Sequence, residues 1–146
     1  MKPQKIFRHC FAFSLFLAVT MPAANASADV VVVVSARSAI TRLTAEQVTK
    51  IFLGKTEAFP NGDGATPIDQ VEGDPIRDEF YPKVAHKNAP QVTAYWAKII
   101  FTGDGHPPKL LGGNAAVRKA VANNPNAIGY IDKSAVDSSI RVILDP

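Results

Sequence analysis

The sequence predicts a single α/β domain with a mixed, mainly parallel sheet flanked by helices. Three observations predict it. Strand-like apolar runs alternate with amphipathic helical segments, the order in which helices join and cover parallel strands. The first run, Val30-Val31-Val32-Val33-Val34, is β-branched without polar alternation, as in a strand covered on both faces. Of 146 residues, 47% are hydrophobic and 20% charged, which excludes a disordered or collagen-like chain.

Residues 1–28 read as a secretory signal. Lys2, Lys5 and Arg8 form a positive start, Phe11 to Val19 is apolar except for Ser14, and Met21-Pro22 breaks the run. Ala26-Ser27-Ala28, or Ala24-Asn25-Ala26 before it, offers small residues for cleavage. The run is shorter than the ~20 apolar residues a membrane span needs. Cys10, the only cysteine, precedes the run and so is not a lipidated first residue. Removal of the segment leaves residues 29–146 as one cysteine-free domain, without thiol catalysis, thiolate metal sites or disulfides. An exported, periplasmic protein is expected. The net charge of +3 comes from the signal alone: the remaining 13 basic residues balance 13 acidic ones. Nucleic acid is therefore not an expected partner.

Each element has a local reason. After the valine strand, Thr44 and Gln47 form a capping box, and Leu43 with Val48 form a hydrophobic staple. Val48, Ile51 and Phe52 continue that helical face to a stop at Gly54. Phe59 to Gly64 is turn-rich, and Thr66 to Gln70 reads as a short strand. Asp74-Pro75 opens a second helix carrying Ile76, Phe80 and Val84 inward, with Pro82 set to kink or shorten it. Asn88 restarts the chain as a helix whose inward face is Val92, Tyr95, Trp96, Ile99 and Ile100, ending at Gly103. Gly103 to Pro108 is a loop. Asn114 is the expected cap of a fourth helix, with Val117, Ala120 and Val121 inward and Pro125 closing it. Ala127 to Ile131 and Ile140 to Leu144 read as the final strands.

The residues give catalysis no positive support. His86 and His106 lie apart without carboxylates at ligand spacing, and neither HExxH, GxSxG nor a phosphate-loop pattern occurs. Asn61-Gly62-Asp63-Gly64 lacks calcium-loop spacing. No metal or cofactor is expected.

Anion binding has more support. Helix starts that follow strand carboxyl ends present free N–H groups and a positive dipole end. Two such junctions stand out. Ser35, Arg37 and Ser38 follow the first strand; Gly73, Asp74, Ile76 and Arg77 open the second helix. Arg77 equally suits an ion pair with Asp74 or Asp78, and Ser35 and Ser38 equally suit capping their own turn.

These residues carry a family likeness. Leu43-Thr44 through Gln47-Val48, Ile51-Phe52-Leu53-Gly54-Lys55, Arg77-Asp78-Glu79-Phe80-Tyr81, Tyr95-Trp96, Phe101-Thr102-Gly103, Pro107-Pro108 and Asn124-Pro125 through Ala127-Ile128-Gly129-Tyr130 resemble, in order, the substrate-binding proteins of phosphate ABC importers. The resemblance implies a type II periplasmic-binding-protein architecture, of which this chain supplies about one lobe. It implies non-catalytic capture of phosphate or a related oxyanion for an ABC permease or a membrane sensor. Gly73, Asp74 and Arg77 match the family's phosphate loop by type, but the stretch lacks that loop's hydroxyls. Asp74 would accept the proton that phosphate retains near neutral pH, favouring it over sulfate. A half-cleft implies a homodimer or a covering partner. The competing expectation is a periplasmic protein-interaction module that keeps the lobe fold without the anion site.

Overall fold

The computed structural model describes residues 28–146; the signal reading lies outside the described residues except for Ala28. Strand β1 (Val30–Ser35) is buried at every position, as its unbroken β-branched run requires. Helix α1 (Ala45–Phe52) starts at the expected capping box, where Thr44 and Gln47 exchange side-chain and backbone bonds. Strand β2 (Thr66–Gln70) leads into helix α2 (Pro75–Phe80), capped by Asp74. Pro82 acts as expected: α2 ends at Phe80, and the chain widens into a π-helical turn over Tyr81–Ala85 that stops at left-handed His86. Proline lacks the N–H that would continue the α-helical ladder.

Helix α3 (Ala89–Thr102) carries a second capping box, Asn88 with Gln91, and ends at Gly103 with φ 74°. Its buried face is narrower than the sequence implies. Val92 and Trp96 are buried, Tyr95 and Ile99 half-buried, but Ile100 is exposed, because nothing among the described residues covers the final turn on that side. Strand β3 (Lys109–Leu111) was not expected; three residues after a Pro-Pro pair carry no readable period. Helix α4 (Asn114–Asn123) starts one residue earlier than expected. Gly113 is the cap, and the Asn114 side chain instead accepts from Asp132 N and Gln70 Nε2, tying the helix to two strands. Val117 and Val121 are its buried residues, and Ala120 is only half-buried. Strands β4 (Ala127–Asp132) and β5 (Ile140–Leu144) complete the fold.

One five-stranded sheet results, in the order β3-β2-β4-β1-β5. It is mixed, but parallel pairing makes up half of it rather than most. β2 pairs parallel with β3 and β4, whereas β1 runs antiparallel to both β4 and β5. Both antiparallel pairs belong to β1, which runs between β4 and β5 and opposite to each. Helices cover both faces. α1, α2 and α3 pack on an aromatic core containing Phe52, Phe80, Tyr81, Trp96 and Tyr130; α4 packs on Val31, Val33, Ile68 and Ile131. This is the α/β lobe that the sequence predicts. Among the described residues no helix is long and apolar enough to cross a membrane.

Candidate functional site

Strand direction decides what the two junctions can do together. β1 is antiparallel to β4, so Val34 lies beside Ile128, while Val30 lies beside Asp132. β2 is parallel to β4, with Thr66 beside Ala127. Ser35 therefore leaves the sheet where β2 and β4 begin, and Gly73 follows the end where they finish. About one strand's length, ~17 Å, separates the two ends. The sequence-predicted residues form two separate groups, not one pocket.

At the first junction the polar groups are turned on the protein itself. Ser35 is buried, and its hydroxyl donates to Ala122 O at 3.3 Å. Arg37 Nη2 donates to the same carbonyl at 3.2 Å. Ser38 Oγ accepts from Ile40 N at 3.2 Å. Arg141 donates to the carbonyls of Ala36, Ser38 and Ile40, so much of the loop's backbone presents acceptors inward.

At the second junction Gly73 takes φ 83° and Asp74 caps α2, its Oδ1 accepting from Ile76 N at 3.0 Å. Pro75 has no N–H, and Asp78 N bonds to Asp74 O. Ile76 is buried, with its amide spent on that cap. Arg77 is 4% exposed. Its ion-pair partner is neither Asp74 nor Asp78 but Asp69 on β2, at 3.4 Å from Nε. A helical side chain points back toward its own amino end, which aims Arg77 at the strand preceding the helix.

Asp69 is the residue that sequence reasoning missed. Buried at the carboxyl end of β2, it accepts from Tyr81 Oη at 2.8 Å, Tyr130 Oη, Gln70 N at 2.8 Å and Arg77 Nε. The available signal was an acid and an amide side by side at the end of a strand that should be buried, where α/β sheets place their ligand chemistry. Burial, reinforced by the charge of Asp69, pushes the Tyr81 and Tyr130 hydroxyls far above the ordinary tyrosine pKa. Burial alone would lower the Arg77 pKa, but the charge of Asp69, with both tyrosines behind it, raises it above the usual value. Arg77 also lies over the Tyr81 ring, 5.1 Å from its centroid.

A cleft of about 460 Å³ opens beside this network, between the ends of β2 and β3 and the exposed side of α3. Asp69 and Arg77 line it, Glu72 and Thr93 add polar groups, and Trp96, Ile100 and Leu110 contribute to an apolar wall. Glu72 is held by the Thr93 hydroxyl at 2.8 Å. Arg77 Nη1 and Trp96 Nε1 are buried without hydrogen-bond partners. The carboxylate's acceptors are well served while the guanidinium retains unused donors. That arrangement suits holding an acceptor group on a fixed support. Among the described residues no group of three His, Cys, Asp or Glu could hold a metal ion, and His86 and His106 are exposed.

No family model and no curated protein matches the sequence. Solved structures are similar in fold. One, from Clostridium perfringens with bound phosphate, is assigned to the phosphate ABC transporter substrate-binding proteins; it matches with a TM-score of 0.63 and 21% identity over 80% of this chain and 44% of its own. An ABC-type phosphate transport receptor from Vibrio cholerae matches with a TM-score of 0.62 and 19% identity, over 80% of this chain and 45% of the receptor. PstS from Borrelia burgdorferi gives 0.60 and 14%, over 80% and 46%. The chain spans less than half the length of these structures, and at such identities the likeness establishes the fold alone: a five-stranded α/β lobe similar to part of each of them.

Proposed function

We propose that this chain is a non-catalytic solute-binding lobe that works at the carboxyl edge of β2, β3 and β4. In this reading it captures phosphate or a related oxyanion in the periplasm and presents it to an ABC permease or a membrane sensor. The observation that carries the reading is Arg77: a buried guanidinium with unused donors beside an open cleft, on a fold whose solved neighbours include phosphate receptors. Gly73 and Asp74 flank it from the α2 cap. Ser35, Arg37 and Ser38 lie at the opposite end of the sheet and have no part in this edge. The open cleft leaves the anion hydrated and screened, and in this reading a second copy or a partner protein covers it.

A second reading has its own observation. The cap of α2 spends the Ile76 amide on Asp74, Pro75 offers none, and Asp69 already compensates the Arg77 charge. Exposed Val71, Ile100 and Leu110 stand on the same side. These features suit a protein-interaction module that keeps the lobe fold without an anion site.

Calorimetry separates the two. Phosphate, with sulfate as control, is titrated into the wild type and into Arg77→Gln. The oxyanion reading expects phosphate binding that weakens about tenfold or more in the variant. No heat with the wild type favours the interaction module, and binding unchanged in Arg77→Gln removes Arg77 from the site.

A further inference from the structure

The cleft beside Arg77 has a chemistry that inorganic phosphate does not use. Its polar end is small and its remaining wall is greasy. Arg77 is the one cation on the lining, whereas Trp96, Ala97, Ile100, Pro107 and Leu110 supply apolar surface. Ile100 and Leu110 are 56% and 49% exposed, uncovered side chains of the kind that mark a binding surface. Asp69 and Glu72 stand against one arginine on the lining, so a doubly charged anion meets two carboxylates on entry. The volume, about 460 Å³, exceeds what a phosphate fills and lies within the range of small-molecule sites.

We infer that this cleft takes an apolar monocarboxylate, its carboxylate paired with the Arg77 guanidinium and its hydrocarbon body lying along Trp96, Ile100 and Leu110. The inference rests on the reading of the chain as a solute-binding lobe and changes the class of solute. A single negative charge gains charge-assisted hydrogen bonds from the guanidinium, and the apolar body gains by covering the exposed wall. Asp69 keeps its tyrosine and amide donors and holds the guanidinium in place.

Trp96 is the chain's only tryptophan and lines the cleft, so its fluorescence reports occupancy directly. Hexanoate, hexanamide and inorganic phosphate are titrated into the purified protein. The expected result is a saturable change with hexanoate, about tenfold or more weaker with hexanamide, with phosphate displacing hexanoate only at much higher concentration. Arg77→Gln should abolish the preference for hexanoate over hexanamide. Leu110→Ser, at a position 49% exposed, should weaken hexanoate about tenfold. The inference is overturned if folded protein shows no saturable response to hexanoate, if hexanamide binds as well, or if Leu110→Ser leaves hexanoate binding unchanged. Phosphate that displaces hexanoate at equal concentration overturns it while upholding the oxyanion reading. Hexanoate binding that phosphate cannot disturb at any concentration removes the oxyanion reading alone.

Discussion

The two faces of the sheet are built on opposite plans. Under α4 the packed core is aliphatic: Val117 and Val121 press on Val31, Val33, Ile68 and Ile131. The approach is so close that a Cβ added at Gly129 would stand 2.7 Å from Val117 Cγ1 and 3.0 Å from Val121 Cγ2. Under α1, α2 and α3 the core is aromatic. Phe80 stacks on Tyr130 at 3.9 Å between centroids, and Phe52 meets Phe80 edge-on at 4.8 Å. Two tyrosines on that face carry hydroxyls inward to Asp69. Aliphatic packing fastens a helix and excludes polar atoms; tyrosine rings bring hydrogen-bonding groups into a core and permit a buried charge. The buried charge network therefore belongs to the aromatic face, and the α4 face secures the sheet that supports it.

The most severe way to break this contrast is Asp69→Ala. It leaves Arg77 as a buried charge without compensation and removes the acceptor of two tyrosines. A loss of about 3–5 kcal/mol is expected, read by urea unfolding. A loss below about 1 kcal/mol would mean that the aromatic face is held by rings alone. Alkali tests the same network without mutation. Tyr81 and Tyr130 have folded-state pKa values raised above that of unfolded tyrosine, about 10. Their contribution to stability is thus complete below about pH 10 and declines as pH rises past it. Tyrosinate absorbance from these two should appear in the same cooperative step as loss of helical circular dichroism. Two tyrosines ionising near pH 10 with the fold intact would contradict their burial against Asp69.

On the α4 face the corresponding change is Gly129→Ala. One methyl group must be accommodated between β4 and two valines whose β-branched side chains have little rotamer freedom. Overpacking of this kind costs about 1–3 kcal/mol. Hexanoate or phosphate affinity should stay at the wild-type value in the folded variant, because the strain falls on the face away from the cleft. A change in affinity without loss of stability would reverse the assignment of roles.

What the sequence revealed followed local rules. Thr44 with Gln47, Asn88-Ala89-Pro90, and Asp74-Pro75 announced three helix starts, because capping is settled within four residues. The valine run announced β1, and Pro82 its disturbance of the chain after α2. What stayed hidden depended on partners distant in the chain. Asp69 meets Tyr130 from 61 positions away, and no local pattern distinguishes such an aspartate from one in a solvated loop. The same applies to strand direction. Two loops after two strands look alike in sequence, yet the antiparallel setting of β1 sends Ser35 and Gly73 to opposite ends of the sheet. Asn114 had the right residue type for a cap but was drawn one position inward by its bonds to β2 and β4.

The smallest effect carries the contrast into the two junctions. Ser35 and Arg37 both donate to the carbonyl of Ala122, in the last turn of α4. A guanidinium there meets the negative end of the helix dipole and satisfies a carbonyl that the helix leaves unpaired. The first junction is thus a clasp on the α4 face, as surely as Arg77 belongs to the aromatic one. Because Arg37 is exposed, Arg37→Ala should cost only about 0.3–1 kcal/mol, and that cost should shrink as salt is raised. Ligand affinity should not change. Weaker ligand binding in Arg37→Ala, with stability untouched, would return Ser35, Arg37 and Ser38 to the binding site and require the chain to present its ligand from both ends of the sheet.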